Sequence, residues 1–153
     1  MSDEQILQLA GLMEGMQVKA NRIIVRIREH GDCMYLILSG EIRVSLDAEN
    51  RETVLATLET GDFFGEIALF DEGPRSADII ANTDCTLLKI SQQAFDEVLA
   101  RHPEIAARFL RAIIRTVGGR VRKLNKKYLD SMLLARFWNR GTPARPLGAK
   151  TRG

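Results

Sequence analysis

The spacing of apolar residues changes twice along this chain. Ile6, Leu9, Ala10 and Met13 fall on one helical face, and Ser2 with Gln5 forms a capping box ahead of them, so a short amphipathic helix is expected to open the chain. The period then drops toward two. The segments IIVRIR (23–28), MYLIL (34–38), EIRVSL (41–46), TVLATL (53–58), ADIIA (77–81) and CTLLKI (85–90) are rich in strand-forming residues, and several alternate. Turn signals separate them: His30-Gly31-Asp32, Ser39-Gly40, Asp47 to Asn50, Thr60-Gly61-Asp62 and Asn82-Thr83-Asp84. Short strands at this spacing predict a sandwich or jelly roll.

After Ile90 the period returns to that of a helix. Ser91 is placed to N-cap QQAFDEVLARH, and Pro103 stands at the favoured first position of a second, longer helix. Along it Leu110, Ile114, Val117, Val121, Leu124 and Tyr128 recur every three or four residues, a heptad seam that asks for a partner helix. Phe109 and Ile113 form a separate stripe, suited to packing on the chain's own β-domain. Gly118 and Gly119 each weaken the helix by up to ~1 kcal/mol relative to alanine, so they mark a bend or the close approach of a backbone or ligand. The expected organisation is a β-domain with flanking helices over 1–102, a long basic amphipathic helix over 103–138 and a disordered basic tail over 139–153.

Composition sharpens this picture in one respect. The net charge of +2 conceals 8 Lys+Arg against 18 Asp+Glu in residues 1–100, and 14 against only Glu104 and Asp130 in 101–153. The two parts are electrostatically different objects. Apolar runs are far shorter than the ~20 residues of a membrane span, and MSDEQ carries no signal core, so a soluble cytoplasmic protein is expected. Cys33 and Cys85 read as small buried thiols, and His30 and His102 as ordinary surface histidines. With so few ligating side chains, a metal-dependent jelly-roll enzyme is not indicated, and no nucleophile elbow, Walker loop or Cys-x-x-Cys pair is present.

The candidate chemistry lies in FFGEIALFDEGPRSADI, residues 63–79. Gly65 ends a strand, and IALF is long enough for one helical turn, whose first N–H groups and positive dipole end suit a single phosphate. Arg75 adds a planar fork for two phosphate oxygens, Ser76 a hydroxyl and Pro74 stiffness. Glu66 is the odd member, because a carboxylate repels phosphate. It does accept from a sugar hydroxyl, as acidic residues do for ribose in dinucleotide sites. These residue types describe a ligand with a ribose and one compact phosphate; on chemistry alone a plain Glu66–Arg75 ion pair across a loop is the simpler reading.

The stretch FFGEIALFDEGPRSADIIA resembles the phosphate-binding cassette of the cyclic nucleotide-binding domain family, which includes the catabolite activator protein, protein kinase A regulatory subunits and cyclic-nucleotide-gated channels. REHGDCMYLILSGEIRV (28–44), LETGDFFGE (58–66) and LLKISQQAFDEVLARHP (87–103) are similar to the family's flanking segments, so the likeness spans roughly residues 12–128. It implies an eight-stranded, jelly-roll-like β-roll flanked by helices. It also implies Glu66 as acceptor of the ribose 2′-hydroxyl, Arg75 and Ser76 as phosphate contacts, and Gly65, Ile67, Ala68 and Ala77 as backbone or wall positions. Val44, Leu55, Leu58 and Phe64 would wall the base, and Arg120 would either lie over it or face solvent. Ser76 where some members have threonine favours cAMP over cGMP, and Ala20-Asn21 stands where the family usually has a glycine before its second strand.

By the same resemblance the expected function is a non-catalytic, cAMP- or cGMP-binding sensor without a metal. Ligand binding would be coupled to movement of the C-terminal helix, and the heptad seam would be either a homodimer contact or a closing lid. The chain has no room for the DNA-binding domain of the catabolite activator type, so sequence-specific DNA binding is not expected. It is read as a stand-alone protein or as the soluble domain of a larger channel or transporter. The rival expectation is a scaffold of the same fold that binds no nucleotide and offers its basic helix to a partner or an anionic surface.

Overall fold

The computed structural model describes residues 2–71 and 73–141. They divide into two compact units, Met1–Leu110 and Arg111–Gly153. The first unit opens with α1 (Asp3–Ala10), whose capping box is formed by Ser2 and Gln5 as expected. Strands β1 (Glu14–Val18), β2 (Ile23–Val25), β3 (His30–Gly31), β4 (Cys33–Ser39), β5 (Glu41–Ala48), β6 (Arg51–Glu59) and β7 (Phe63–Phe64) follow. A 3-10 turn (Glu66–Leu69), β8 (Gly73–Pro74), β9 (Asp78–Ala81), β10 (Cys85–Ser91) and α2 (Gln92–Arg101) complete the roll, and α3 spans Pro103–Gly141.

The roll is built from two antiparallel four-stranded sheets, ordered β1-β10-β4-β7 and β2-β9-β5-β6, with β3 and β8 as a separate two-stranded ribbon. The expected eight-stranded architecture is therefore present, with a short ribbon added. Each sheet turns its apolar face toward the other, and Tyr35, Ile37, Phe64, Cys85 and Leu87 of one meet Val25, Ile42, Ile79 and Ala81 of the other in a single buried cluster. Leu87, Ile42 and Ala81 are fully buried, which is the alternation of β5, β9 and β10 expressed as packing. Cys33 and Cys85 are both buried and unbridged. His30 is exposed and His102, the C-cap of α2, is half-buried.

Tight turns set the register. Glu49 and Asn50 join β5 to β6 with φ of 55° and 59°, the left-handed pair that a two-residue hairpin requires. Asn21, at the place of the missing glycine, has φ 67°, so an asparagine supplies the left-handed turn before β2. Ser91 caps α2, its hydroxyl accepting from Ala94 N at 3.1 Å, and seats Phe95 and Val98 in the core. Phe95 packs edge-on to Phe70 and against Phe109.

Helix α3 runs three residues past the expected end at 138, and residues 142–153 of the expected tail lie outside those described. Phe109 and Ile113 are buried. In the second unit Ile114, Val121, Leu124 and Tyr128 are 67%, 48%, 65% and 69% exposed. No helix among the described residues is long and apolar enough to cross a membrane.

Candidate functional site

Gly65 leaves β7 with φ +76°, a conformation that costs glycine least, and hands the chain directly to the 3-10 turn begun by Glu66. Leu69 and Ala68 of that turn are buried and anchor it, while Ile67 points outward at 64% exposure. Within the turn Ala68 N–H donates to Gly65 O at 3.2 Å and Phe70 N–H to Ile67 O at 3.0 Å, which fixes its short helical geometry. Glu66 is half-buried at its start.

Arg75 reaches the same place from the opposite side. Pairing of β8 with β3 sets Pro74 opposite His30 and Gly73 opposite Gly31. The Arg75 main chain extends this pairing: its N–H donates to Glu29 O and its carbonyl accepts from Arg28 N, both at 2.8 Å. Its side chain then crosses to β4. Nη2 donates to Cys33 O at 2.8 Å and Nη1 to Gly65 O at 3.4 Å, with Cys33 Sγ 3.6 Å from Nη2. The guanidinium is thus held, half-buried, beside the residue that precedes Glu66. A Cβ at Gly65 would lie 2.7 Å from Nη1 and 3.0 Å from Cys33 O, so the close approach needs glycine as well as the backbone angle.

Tyr35 lies next to this arrangement. Burial pushes its phenol well above the ordinary tyrosine range, and the Cys33 thiol, 3.3 Å from the phenolic oxygen, raises it further. Its ring stacks on Phe64 with centroids 4.9 Å apart. Tyr35 therefore stays neutral and adds no charge to compete for Arg75.

The remaining expected residues are placed as follows. Ser76 is exposed directly after Arg75, and Ala77 is buried at 8% exposure. Phe64 is a core side chain, Val44 and Leu58 pack half-buried against the same core, and Leu55 stands 51% exposed on β6. Arg120 belongs to the second unit and is half-buried on α3. Two participants escaped the sequence reading. Cys33 acts through its carbonyl, which any residue type offers, and Gly31 was visible only as a turn signal. Chemically, the assembly offers an oriented guanidinium, a helical turn start, a hydroxyl and one carboxylate. Among the described residues no group of His, Cys, Asp and Glu is placed to hold a metal ion.

Comparison with known proteins adds to this geometry. The family model for the cyclic nucleotide-binding domain matches residues 16–102. The chain is 34% identical over 105 residues to the cAMP-activated global transcriptional regulator CRP of Salmonella typhimurium, covering 67% of this chain and 50% of that one. It is 27% identical over 143 residues to a CRP-like cAMP-activated global transcriptional regulator of Mycobacterium tuberculosis, covering 83% and 62%. The chain thus spans half to about three-fifths of the length of these relatives. Among solved structures it matches a cyclic nucleotide-binding domain from Methylobacillus flagellatus with a TM-score of 0.80 at 25% identity, over 86% of this chain and 74% of that one. It also matches the regulatory domain of Toxoplasma gondii PKA crystallised with cAMP, with a TM-score of 0.58 at 26% identity, over 64% and 38%.

Proposed function

The chain belongs to the cyclic nucleotide-binding domain family, and from that premise we propose that it is a non-catalytic sensor that binds cAMP in preference to cGMP. The observation that carries the reading is the Arg75 guanidinium, fixed by two main-chain carbonyls beside the Gly65 turn. An arginine has five N–H donors, so two carbonyl bonds leave others for phosphate oxygens. The anion would sit between Arg75, the Ser76 hydroxyl and the N–H groups of the 3-10 turn, with Glu66 accepting from the ribose 2′-hydroxyl. Val44, Leu55, Leu58 and Phe64 would supply the apolar side of the base site. A site prepared in this way supports a small charged ligand, because the arginine loses little further freedom on binding.

As a sensor the protein must bind its ligand with different affinity in two arrangements, since only such a difference moves an equilibrium. The mobile element in this reading is α3, whose heptad seam would serve either as a contact between two copies or as a closing lid. Titration calorimetry with cAMP and cGMP tests the proposal. cAMP should bind more tightly than cGMP, and Arg75→Ala should weaken cAMP by about 1.5–3 kcal/mol, roughly 10- to 100-fold, with the fold retained. Unchanged affinity in a folded Arg75→Ala protein would remove the phosphate assignment, and no heat with either nucleotide would favour the scaffold reading.

A further inference from the structure

We propose that Gly31 is a positioning residue of the anion site, required as glycine so that the Arg75 guanidinium can lie flat across β3. The inference rests on the reading of Arg75 as the phosphate partner. Gly31 is buried, and its backbone is outside the left-handed region, so an L side chain there meets no φ penalty. What it meets is Arg75. A Cβ at Gly31 would sit on top of Nε and Cζ and 2.9 Å from Cδ, closer than real Cβ contacts come. Gly65 closes on the guanidinium from another side at 2.7 Å from Nη1, but there φ +76° would itself strain any substitution. Gly31 is therefore the position at which space alone separates glycine from alanine.

The surroundings limit how the clash can be relieved. The Arg75 backbone is tied on both sides to residues 28 and 29, and Nη2 is tied to Cys33 O, so the chain beneath the guanidinium cannot retreat without losing those bonds. The movable part is the guanidinium, which would swing off its two carbonyls and away from the Gly65 turn. Gly73, the register partner of Gly31 on β8, supplies an internal control, because a Cβ built there finds nothing within 4 Å. Adding a methyl to the two sides of one ribbon should therefore have unequal consequences, a loss of binding at Gly31 and little change at Gly73.

The test is calorimetric titration of the whole chain with cAMP in a set of variants, each with its thermal unfolding midpoint. Gly31→Ala should weaken binding by about tenfold or more, comparable to losing a charged hydrogen-bond pair. Gly73→Ala should change it by less than about twofold. In an Arg75→Ala background, where the guanidinium is gone, Gly31→Ala should cost less than about twofold further, the non-additivity expected of residues that act through one contact. Wild-type affinity in Gly31→Ala, an equal loss in Gly73→Ala, or an additive loss on top of Arg75→Ala would each overturn the proposal. Should Gly31→Ala alone not fold, recovery of folding in the Gly31→Ala/Arg75→Ala pair supports the clash, and failure of the pair to fold overturns it. If Arg75→Ala weakens binding while Gly31→Ala does not, only this inference falls; if Arg75→Ala is itself neutral, the phosphate assignment falls with it.

Discussion

A carboxylate beside a phosphate seat works against binding unless it has a separate task, and Glu66 is placed half-buried at the start of the turn that leaves Gly65. If that task is to accept from the ribose 2′-hydroxyl, Glu66→Gln should weaken cAMP less than Arg75→Ala does, because an amide oxygen still accepts. With 2′-deoxy-cAMP the difference between wild type and Glu66→Gln should nearly vanish, and the two ligands titrated side by side check it. Equal sensitivity to both would separate Glu66 from the ribose. At this scale the sequence offered a reading where a residue type carries its own chemistry. The types at Gly65, Glu66, Arg75 and Ser76 pointed to a phosphate and a sugar hydroxyl, and the structure brings the Arg75 guanidinium to Gly65. It was opaque where the contribution is a main-chain carbonyl, as at Cys33, or an absent side chain, as at Gly31. Asn21 shows the converse, a departure from the family pattern that its φ of 67° reconciles with the same turn.

At the scale of elements, legibility followed length. Strands with room for alternation were readable, whereas β3, β7 and β8 have two residues each and express no period at all. β1 hid for another reason: EGMQV contains a glycine and is mostly exposed, so no apolar face announced it. Caps were legible because each depends on one side chain and one position. Ser91 accepts from Ala94 N and starts the helix that carries Phe95 and Val98, both 1% exposed. Ser91→Ala should therefore destabilise the first unit by about 1 kcal/mol, the usual worth of an N-cap, measured as a shift in the urea midpoint with an unchanged slope. A change in slope would mean that α2 had come loose from the β-domain, a larger effect than a lost cap.

The whole molecule is divided by charge, and its basic part also carries an exposed apolar seam. Residues 101–153 carry 14 basic side chains against two acidic ones, yet along α3 the seam residues Ile114, Val121, Leu124 and Tyr128 stand 48% to 69% exposed. Burying one such side chain is worth up to ~1.5–3 kcal/mol, so several in heptad register can outweigh the repulsion between two basic helices. The wild-type chain should sediment as a dimer. Because the opposing term is repulsion between like charges near the surface, the dimer should tighten as salt rises from low to physiological strength. Val117→Glu with Leu124→Glu would place carboxylates inside the seam without partners and should give a monomer that still binds cyclic nucleotide, more weakly if association and ligand closure are linked. Analytical ultracentrifugation of both proteins, with and without cAMP, decides this. A wild-type chain that stays monomeric at every concentration, with and without cAMP, would refute the dimer reading of the seam.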